Sequence, residues 1–288
     1  MAYLHKINNL YKDQSILMFN ETFCLEKLHG TNIKLTYSIE EGLRFFSGGA
    51  RYENFIKLFN QEEILEKLKL IGHNITLYGE CIGGKEQGMS HTYGDKMSCV
   101  FFDVKIGDSW LSVPQAEDFC KSLNLEFVHY VKTSTNLADL DAQRDADSVQ
   151  AVRNGCGSGK LREGIVCRGL VELTKNNGER VICKHKREEF RETKTPRPII
   201  DPHKLEVLKN AEMISNEWIT KTRLEHILQK IPVPDPSIEL MSEVISSMVE
   251  DIKIEGAGEI IWNKDVEKVI CRQTALLFKN YLKGKLYE

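Results

Sequence analysis

The sequence predicts an α+β chain with largely antiparallel sheets, followed by a small all-helical tail. Three observations carry that expectation. Residues 32–39 alternate without a break, Ile33, Leu35, Tyr37 and Ile39 against Asn32, Lys34, Thr36 and Ser38, which is the two-residue period of a half-buried strand. Beyond residue 200 the apolar spacing changes to the three-and-four of amphipathic helices. Between the two regimes, six of the seven prolines fall between residues 196 and 236, in "TPRPIIDP" and "IPVPDP", where neither a helix nor a strand continues. Two unlike domains are therefore expected, 1–200 and 201–288, joined by a Pro-containing connection.

The elements follow in chain order. "CLEKLHGTNIKL" (24–35) reads as a strand, a tight turn at His29-Gly30-Thr31-Asn32 and a second strand. "YENFIKLFNQEEILEKLKL" has helical periodicity, whereas "ITLYGEC", "SCVFFDVKI", "EGIVCRGL" and "RVICKHK" are short β-rich runs. In the tail, Leu205, Leu208, Ala211, Ile214 and Trp218 share one helical face. Met241, Val244, Ile245, Met248, Val249 and Ile252 share a second, and Val266, Val269, Ile270 and Leu277 a third.

With 288 residues, 41% of them hydrophobic, the chain can bury a core of one large or two ordinary domains. The net charge of -3 gives no global attraction to polyanions, so a nucleic-acid partner would need a local basic patch. Eight scattered cysteines without a C-x-x-C pair predict reduced, mostly buried thiols. The first residues lack the apolar core of a signal peptide, and no apolar run approaches membrane-span length. A soluble protein of the cytoplasm is the expectation.

Lys27 stands directly ahead of a polar turn, where a lysine is ordinarily a solvated surface group. Four further pieces change its meaning: "LYGE" (77–80), "VFFDV" (100–104), "REGIVCR" (162–168) and "VICKHK" (181–186). Each is weak alone. In this order, with "EKLHGTN" (26–32), they resemble the nucleotidyltransferase motifs I, III, IIIa, IV and V of the covalent ligase and mRNA-capping superfamily. The histidine of K-x-H-G-T-N is similar to the RNA ligase 2 branch of bacteriophages and kinetoplastid RNA editing, as is "LYGECIGGKEQGMSHTYGDKMSCVFFDV" with its Tyr-Gly-Asp. The resemblance spans about residues 20–200.

That resemblance implies a nucleotidyltransferase (ATP-grasp-like ligase) domain with antiparallel sheets, ATP as substrate with AMP held covalently, and a magnesium or manganese ion whose ligands the sequence leaves unknown. It implies that Lys27 becomes lysyl-AMP, that AMP passes to an RNA 5'-phosphate, and that a 3'-hydroxyl displaces it. A lysine attacks phosphorus only when deprotonated, which nearby cations and shielding from water favour. Glu80 matches the acid expected on the ribose hydroxyls, and Phe102 the ring expected on adenine, with Phe101 its rival for the core. Glu163 matches the motif IV acid, and Lys184 and Lys186 the lysines expected at the α-phosphate. These two share a strand face and His185 points the other way. His29 and Asn32 match the positions that distinguish the branch, and Glu26 could receive the adenine amino group through its backbone or side chain.

Two departures stand out. The family arginine after motif I corresponds to Arg44 or Arg51, of which Arg51 is favoured, and Arg168 stands where motif IV usually ends in lysine, retaining a cation of different shape. "NGCGSGKL" (154–161) mimics a phosphate loop but lacks its first glycine and its Ser/Thr. It reads as a flexible loop, and "CIGGKEQG" as a solvent loop over the site. Between residues 180 and 197, seven Lys/Arg against three Glu offer an RNA phosphate-tracking surface. The expected partner is RNA with 5'-phosphate and 3'-hydroxyl ends in a nicked or templated duplex. A capping guanylyltransferase or a DNA ligase, either with an OB-fold after residue 200, and a non-catalytic nucleotide- or RNA-binding homologue are the alternatives.

Overall fold

The computed structural model describes residues 7–175, 178–191, 193, 211–231 and 236–285. The chain divides into two compact units, Met1–Arg187 and Glu188–Glu288. The expected boundary near residue 200 lies outside the described residues, as do Leu205 and Leu208.

Nine strands lie in the first unit: β1 (Glu21–Lys27), β2 (Thr31–Ser38), β3 (Gly42–Ser47), β4 (Ile75–Ile82), β5 (Ser98–Ile106), β6 (Ser109–Trp110), β7 (Tyr130–Ser134), β8 (Gly164–Arg168) and β9 (Ile182–Lys186). They form two sheets, ordered β7-β1-β8-β9 and β3-β2-β4-β5-β6, with every strand pair antiparallel. The alternation read in β2 is realised as far as Tyr37, with Thr31, Ile33, Leu35 and Tyr37 buried and the residues between them more open, whereas Ile39, expected on the same face, lies past the strand end and is exposed. The polar side of β2 carries Asn32 opposite Glu80 on β4, so those two side chains share a face.

The helix expected over 52–70 is two helices. α1 (Tyr52–Phe55) passes through a short 3₁₀ turn, and α2 (Gln61–Lys69) restarts after Asn60, whose side chain accepts the Glu63 N–H at 3.3 Å. The break has a packing reason. Phe59, held extended between the two helices, packs its ring against Phe45, Phe55 and Phe101, an aromatic cluster behind the larger sheet that a continuous helix would not form. The remaining helices of the unit are α3 (Ser90–Tyr93), α4 (Val113–Ser122), α5 (Leu137–Arg144) and α6 (Val149–Arg153).

The expectation that all cysteines are reduced meets one exception. Cys81 on β4 and Cys99 on β5 are directly opposed, with Cα atoms 4.3 Å apart, and form a disulfide. Cys24, Cys167 and Cys183 remain buried thiols, aligned in register across β1, β8 and β9.

Every regular element of the second unit is helical among the described residues: α7 (Ala211–Trp218), α8 (Lys221–Lys230), α9 (Met241–Glu255) and α10 (Lys264–Lys285), with a 3₁₀ turn before α9. Ile214, Trp218, Val244, Met248, Ile252, Val266 and Ile270 fill its core as their spacing predicts, joined by Leu224 and Ile227 of α8. No expectation covered α8. Thr220 caps it, and Arg223 is buried against Asp251 and the Trp218 carbonyl. Among the described residues no helix is long and apolar enough to cross a membrane.

Candidate active site

Three strands bring the first charged groups together. Lys27 ends β1 and Lys186 ends β9, and both pair in register with Gly164, the first residue of β8. Glu163 therefore enters between two lysines. Gly164 has φ +149, and a Cβ there would lie 2.2 Å from the His185 carbonyl oxygen. Only glycine lets β9 come this close, which explains an Glu-Gly pair at this point.

Glu163 is buried and serves as the hub. Lys27 Nζ donates to its Oε2 at 2.7 Å, Lys186 Nζ lies 2.9 Å from Oε1, and His29 Nδ1 lies 3.3 Å from Oε2. Burial alone would raise the Glu163 pKa, but the Lys186 and Lys27 ammonium groups and the His29 imidazole outweigh it and hold it well below the ordinary carboxylate value. The carboxylate is thus ionised and saturated with donors.

The turn after Lys27 is held by side chains from the β4–β5 region. Gly30 N–H donates to Glu80 Oε1 at 3.2 Å, His29 N–H to the Tyr93 hydroxyl at 3.3 Å, and the Thr31 hydroxyl to Glu86 Oε2. A Cβ on Gly30 would lie 2.1 Å from the Cys81 carbonyl oxygen, so the glycine of this turn permits its approach to β4. Burial pushes the Glu80 carboxyl up to about 8, with Lys27 opposing and Glu163 adding to the shift. Two neighbouring carboxyls therefore take opposite protonation tendencies, Glu163 ionised and Glu80 inclined to keep its proton at neutral pH.

A family model described as RNA ligase matches residues 20–186. The chain belongs to the RNA ligase family. Among solved structures, Naegleria gruberi RNA ligase with pyrophosphate is similar at 17% identity and a TM-score of 0.50, over 66% of this chain and 57% of that one. A lysine-to-methionine variant of that enzyme with AMP and Mn matches at 16% identity and a TM-score of 0.50, over 65% of this chain and 56% of that one. A glutamate-to-alanine variant with ATP and Mn matches at 16% and 0.50, over 66% and 57%. These likenesses carry the fold, and this chain spans little more than half the length of the Naegleria chains. No curated protein matches.

The remaining residues of this RNA ligase family member divide by what surrounds them. Phe101 is fully buried against Phe59, which leaves the half-buried Phe102 as the ring not committed to the core. Phe102 lies at a β-bulge, where the register steps from Tyr78–Asp103 to Gly79–Phe101. Lys184 pairs with Val166 two positions before Lys186, on the same strand face. His185 points to the opposite face, with Nε2 2.7 Å from Asp141 Oδ1 and 2.9 Å from Arg144 Nη1. Asn32 is exposed at the start of β2. Arg44 is exposed and paired with Glu41 at 2.9 Å. Arg51 is exposed at the start of α1, at the end of a loop whose Gly48 N–H donates to the Asn32 carbonyl at 2.9 Å.

Three expectations need correction. The Glu26 side chain is not open to adenine: its carboxylate accepts the Ser148 hydroxyl at 2.5 Å and the Val149 and Gln150 N–H groups at 3.0 and 3.2 Å, so it caps α6. Its own N–H donates to the His129 carbonyl at 2.8 Å. Arg168 is a buried structural cation. It donates to Glu172 and to the Phe102 and Leu111 carbonyls and lies 3.0 Å from Asp103 Oδ1, in a network completed by Arg180, which bridges Asp103 and Glu172 and stacks on Trp110. The "CIGGKEQG" loop is more than solvent cover, because its Glu86 holds Thr31.

Tyr93 and Glu86 are the site residues that residue-by-residue reading missed, although Tyr93 is the tyrosine of the Tyr-Gly-Asp stretch. Among the described residues no group of three or more His, Cys, Asp and Glu converges as a metal cage. One or two carboxylates with water and phosphate ligands is nonetheless the usual magnesium arrangement. The residues present do not fit such a site as they stand: both Glu163 oxygens are taken by Lys27, His29 and Lys186, and Glu80 is inclined to keep its proton.

Proposed function

We propose that the chain is an ATP-dependent RNA ligase that joins 5'-phosphate and 3'-hydroxyl RNA ends in a nicked or templated duplex. The observation that supports this best is the Lys27–Glu163–Lys186 cluster within a family match over residues 20–186. In the first step the Lys27 amine forms a bond to the α-phosphorus of ATP and the bond to pyrophosphate breaks. The RNA 5'-phosphate then takes AMP from Lys27, and a 3'-hydroxyl oxygen attacks the activated phosphorus with departure of AMP. Each transfer depends on positioning and neutralised charge.

Lys27 attacks phosphorus through its nitrogen lone pair, which the Glu163 contact orients. A divalent cation, when bound, would neutralise phosphate charge, and the described residues assign it no ligand set. Lys184 and Lys186 supply fixed positive charge for the phosphates, Glu80 a ribose contact, Phe102 a stacking surface for adenine and Asn32 a contact beyond the nucleotide. His29, beside both Lys27 and Glu163, maintains their alignment. The free thiols of six cysteines suit a cytoplasmic setting, whereas the Cys81–Cys99 disulfide does not.

The helical elements beyond Arg187 favour this reading over a capping enzyme or a DNA ligase, for which an OB-fold was the expected sign. Incubation with labelled ATP and magnesium is expected to give a protein–AMP adduct that Lys27→Ala abolishes and that GTP does not replace. An adduct surviving Lys27→Ala would remove the nucleophile assignment. Labelling by GTP in preference to ATP would turn the assignment toward guanylyl transfer.

A further inference from the structure

The geometry points to an RNA-backbone-binding surface on the C-terminal helix α10, made of a stripe of four cations beside an amide-lined groove. This inference rests on the ligase reading for its choice of polyanion. From Lys268 to Lys283 the chain holds Lys268, Arg272, Lys279 and Lys283 and no acidic residue, in a protein of net charge -3. All four side chains are exposed. At roughly 3.6 residues per turn they fall within about 60° of arc, and the stripe runs about 22 Å along the axis.

A charged helix face is commonly no more than a solvated surface, and two observations argue against that here. Most other described cations of this unit are matched to carboxylates, Lys221 with Glu225, Arg223 and Lys230 with Asp251, and Lys253 with Glu267, with Lys264 at the start of α10 the exception. None of the four stripe residues is ion-paired with a described residue. Nor does the helix dipole account for them, since it favours cations only in the last turn, and Lys268 and Arg272 lie in the first half of α10.

The groove lies along one side of the stripe, between α7 and α10, and encloses about 310 Å³. Asn216, Gln273 and Asn280 line it with Ser215, Ile219 and Leu276, so its polar groups are uncharged, three of them amides that both donate and accept. Cations for phosphates beside amides for hydroxyls is the combination that a ribose-phosphate backbone requires, and the 2'-hydroxyl is what distinguishes RNA from DNA. A protein partner of acidic character would satisfy the stripe and leave the amides without a role.

The test measures binding of an RNA duplex with a nicked 5'-phosphate end, without ATP, by the full chain in which Lys268, Arg272, Lys279 and Lys283 are all changed to Gln. Affinity is expected to fall roughly 10- to 100-fold near 0.1 M salt, and the slope of log affinity against log salt to shrink by about two to three. Changing Asn216, Gln273 and Asn280 to Ala is expected to weaken RNA about three- to tenfold and leave the matching DNA duplex unchanged. Unaltered affinity and salt slope in the first variant, or no RNA binding by the native chain, overturns the surface. Lysyl-AMP formation, measured without RNA on the same proteins, reports on the ligase reading separately and is expected to be unchanged.

Discussion

Glu163 is a single buried carboxylate shared by two ammonium groups, and its replacement shows what the cluster is worth. Glu163→Gln preserves shape and removes the counter-charge of Lys27 and Lys186, whose side chains are 24% and 10% exposed. Stranding partly buried cations costs about 3 kcal/mol, to be read as a lower urea midpoint at neutral pH, with lysyl-AMP formation lost. Because the Glu163 pKa is depressed, its stabilisation is complete above the unfolded value of 4.5 and fades as pH falls below it, so the two proteins should converge in acid. Glu80 has the opposite sign. The folded protein retains a proton up to about 8 that the unfolded chain releases above 4.5, so this group costs stability as pH rises through that window. Glu80→Gln cannot ionise and keeps an oxygen for the Gly30 N–H. Its unfolding midpoint relative to the native chain should rise from about pH 5 to about pH 9, and a constant difference would remove burial as the governing cause.

At the scale of elements, the short helix α6 explains why a glutamate precedes the nucleophile. Ser148 caps it and Glu26 caps it a second time from β1, fixing the strand that ends at Lys27. Glu26→Ala should lower stability by about 2 kcal/mol in urea unfolding while ATP remains preferred over GTP in adduct formation; a collapse of that preference would return Glu26 to the adenine pocket. This role was not legible in the sequence, because 122 residues separate Glu26 from Ser148 and no local period connects them. The same holds for Arg168, whose partner Asp103 lies on the other sheet. β2 was legible because one buried face imposes alternation, β5 from its β-rich composition although its burial does not alternate, and the break before α2 carried a readable cap, Asn60 followed by Glu63. The Lys27, Glu163 and Lys186 assembly came from the order of motifs, since periodicity shows each strand but not which strands adjoin. The clasp of Glu86 and Tyr93 depends on how the β4–β5 connection folds back on the turn, and spacing alone does not reveal that.

For the whole molecule, charge is separated by depth. The Lys27–Glu163–Lys186 contacts of 2.7 and 2.9 Å sit at a buried carboxylate, well inside the roughly 8 Å over which physiological salt screens. The cations of α10 are exposed and unmatched among the described residues, and the chain as a whole, at -3, offers a polyanion no attraction except through such local patches. The two halves of the proposed reaction should therefore respond differently to ionic strength. Lysyl-AMP formation at saturating ATP and magnesium should change less than about threefold between roughly 50 and 300 mM potassium chloride, because its charges are fixed and shielded. Sealing of a nicked RNA at subsaturating RNA should fall by about 10²-fold or more over the same range, as displaced counterions are restored to the duplex. Single-turnover rates for the two steps, measured on one preparation, make the comparison. Parallel salt dependence would mean that RNA engagement uses the buried cluster itself and not an exposed basic surface.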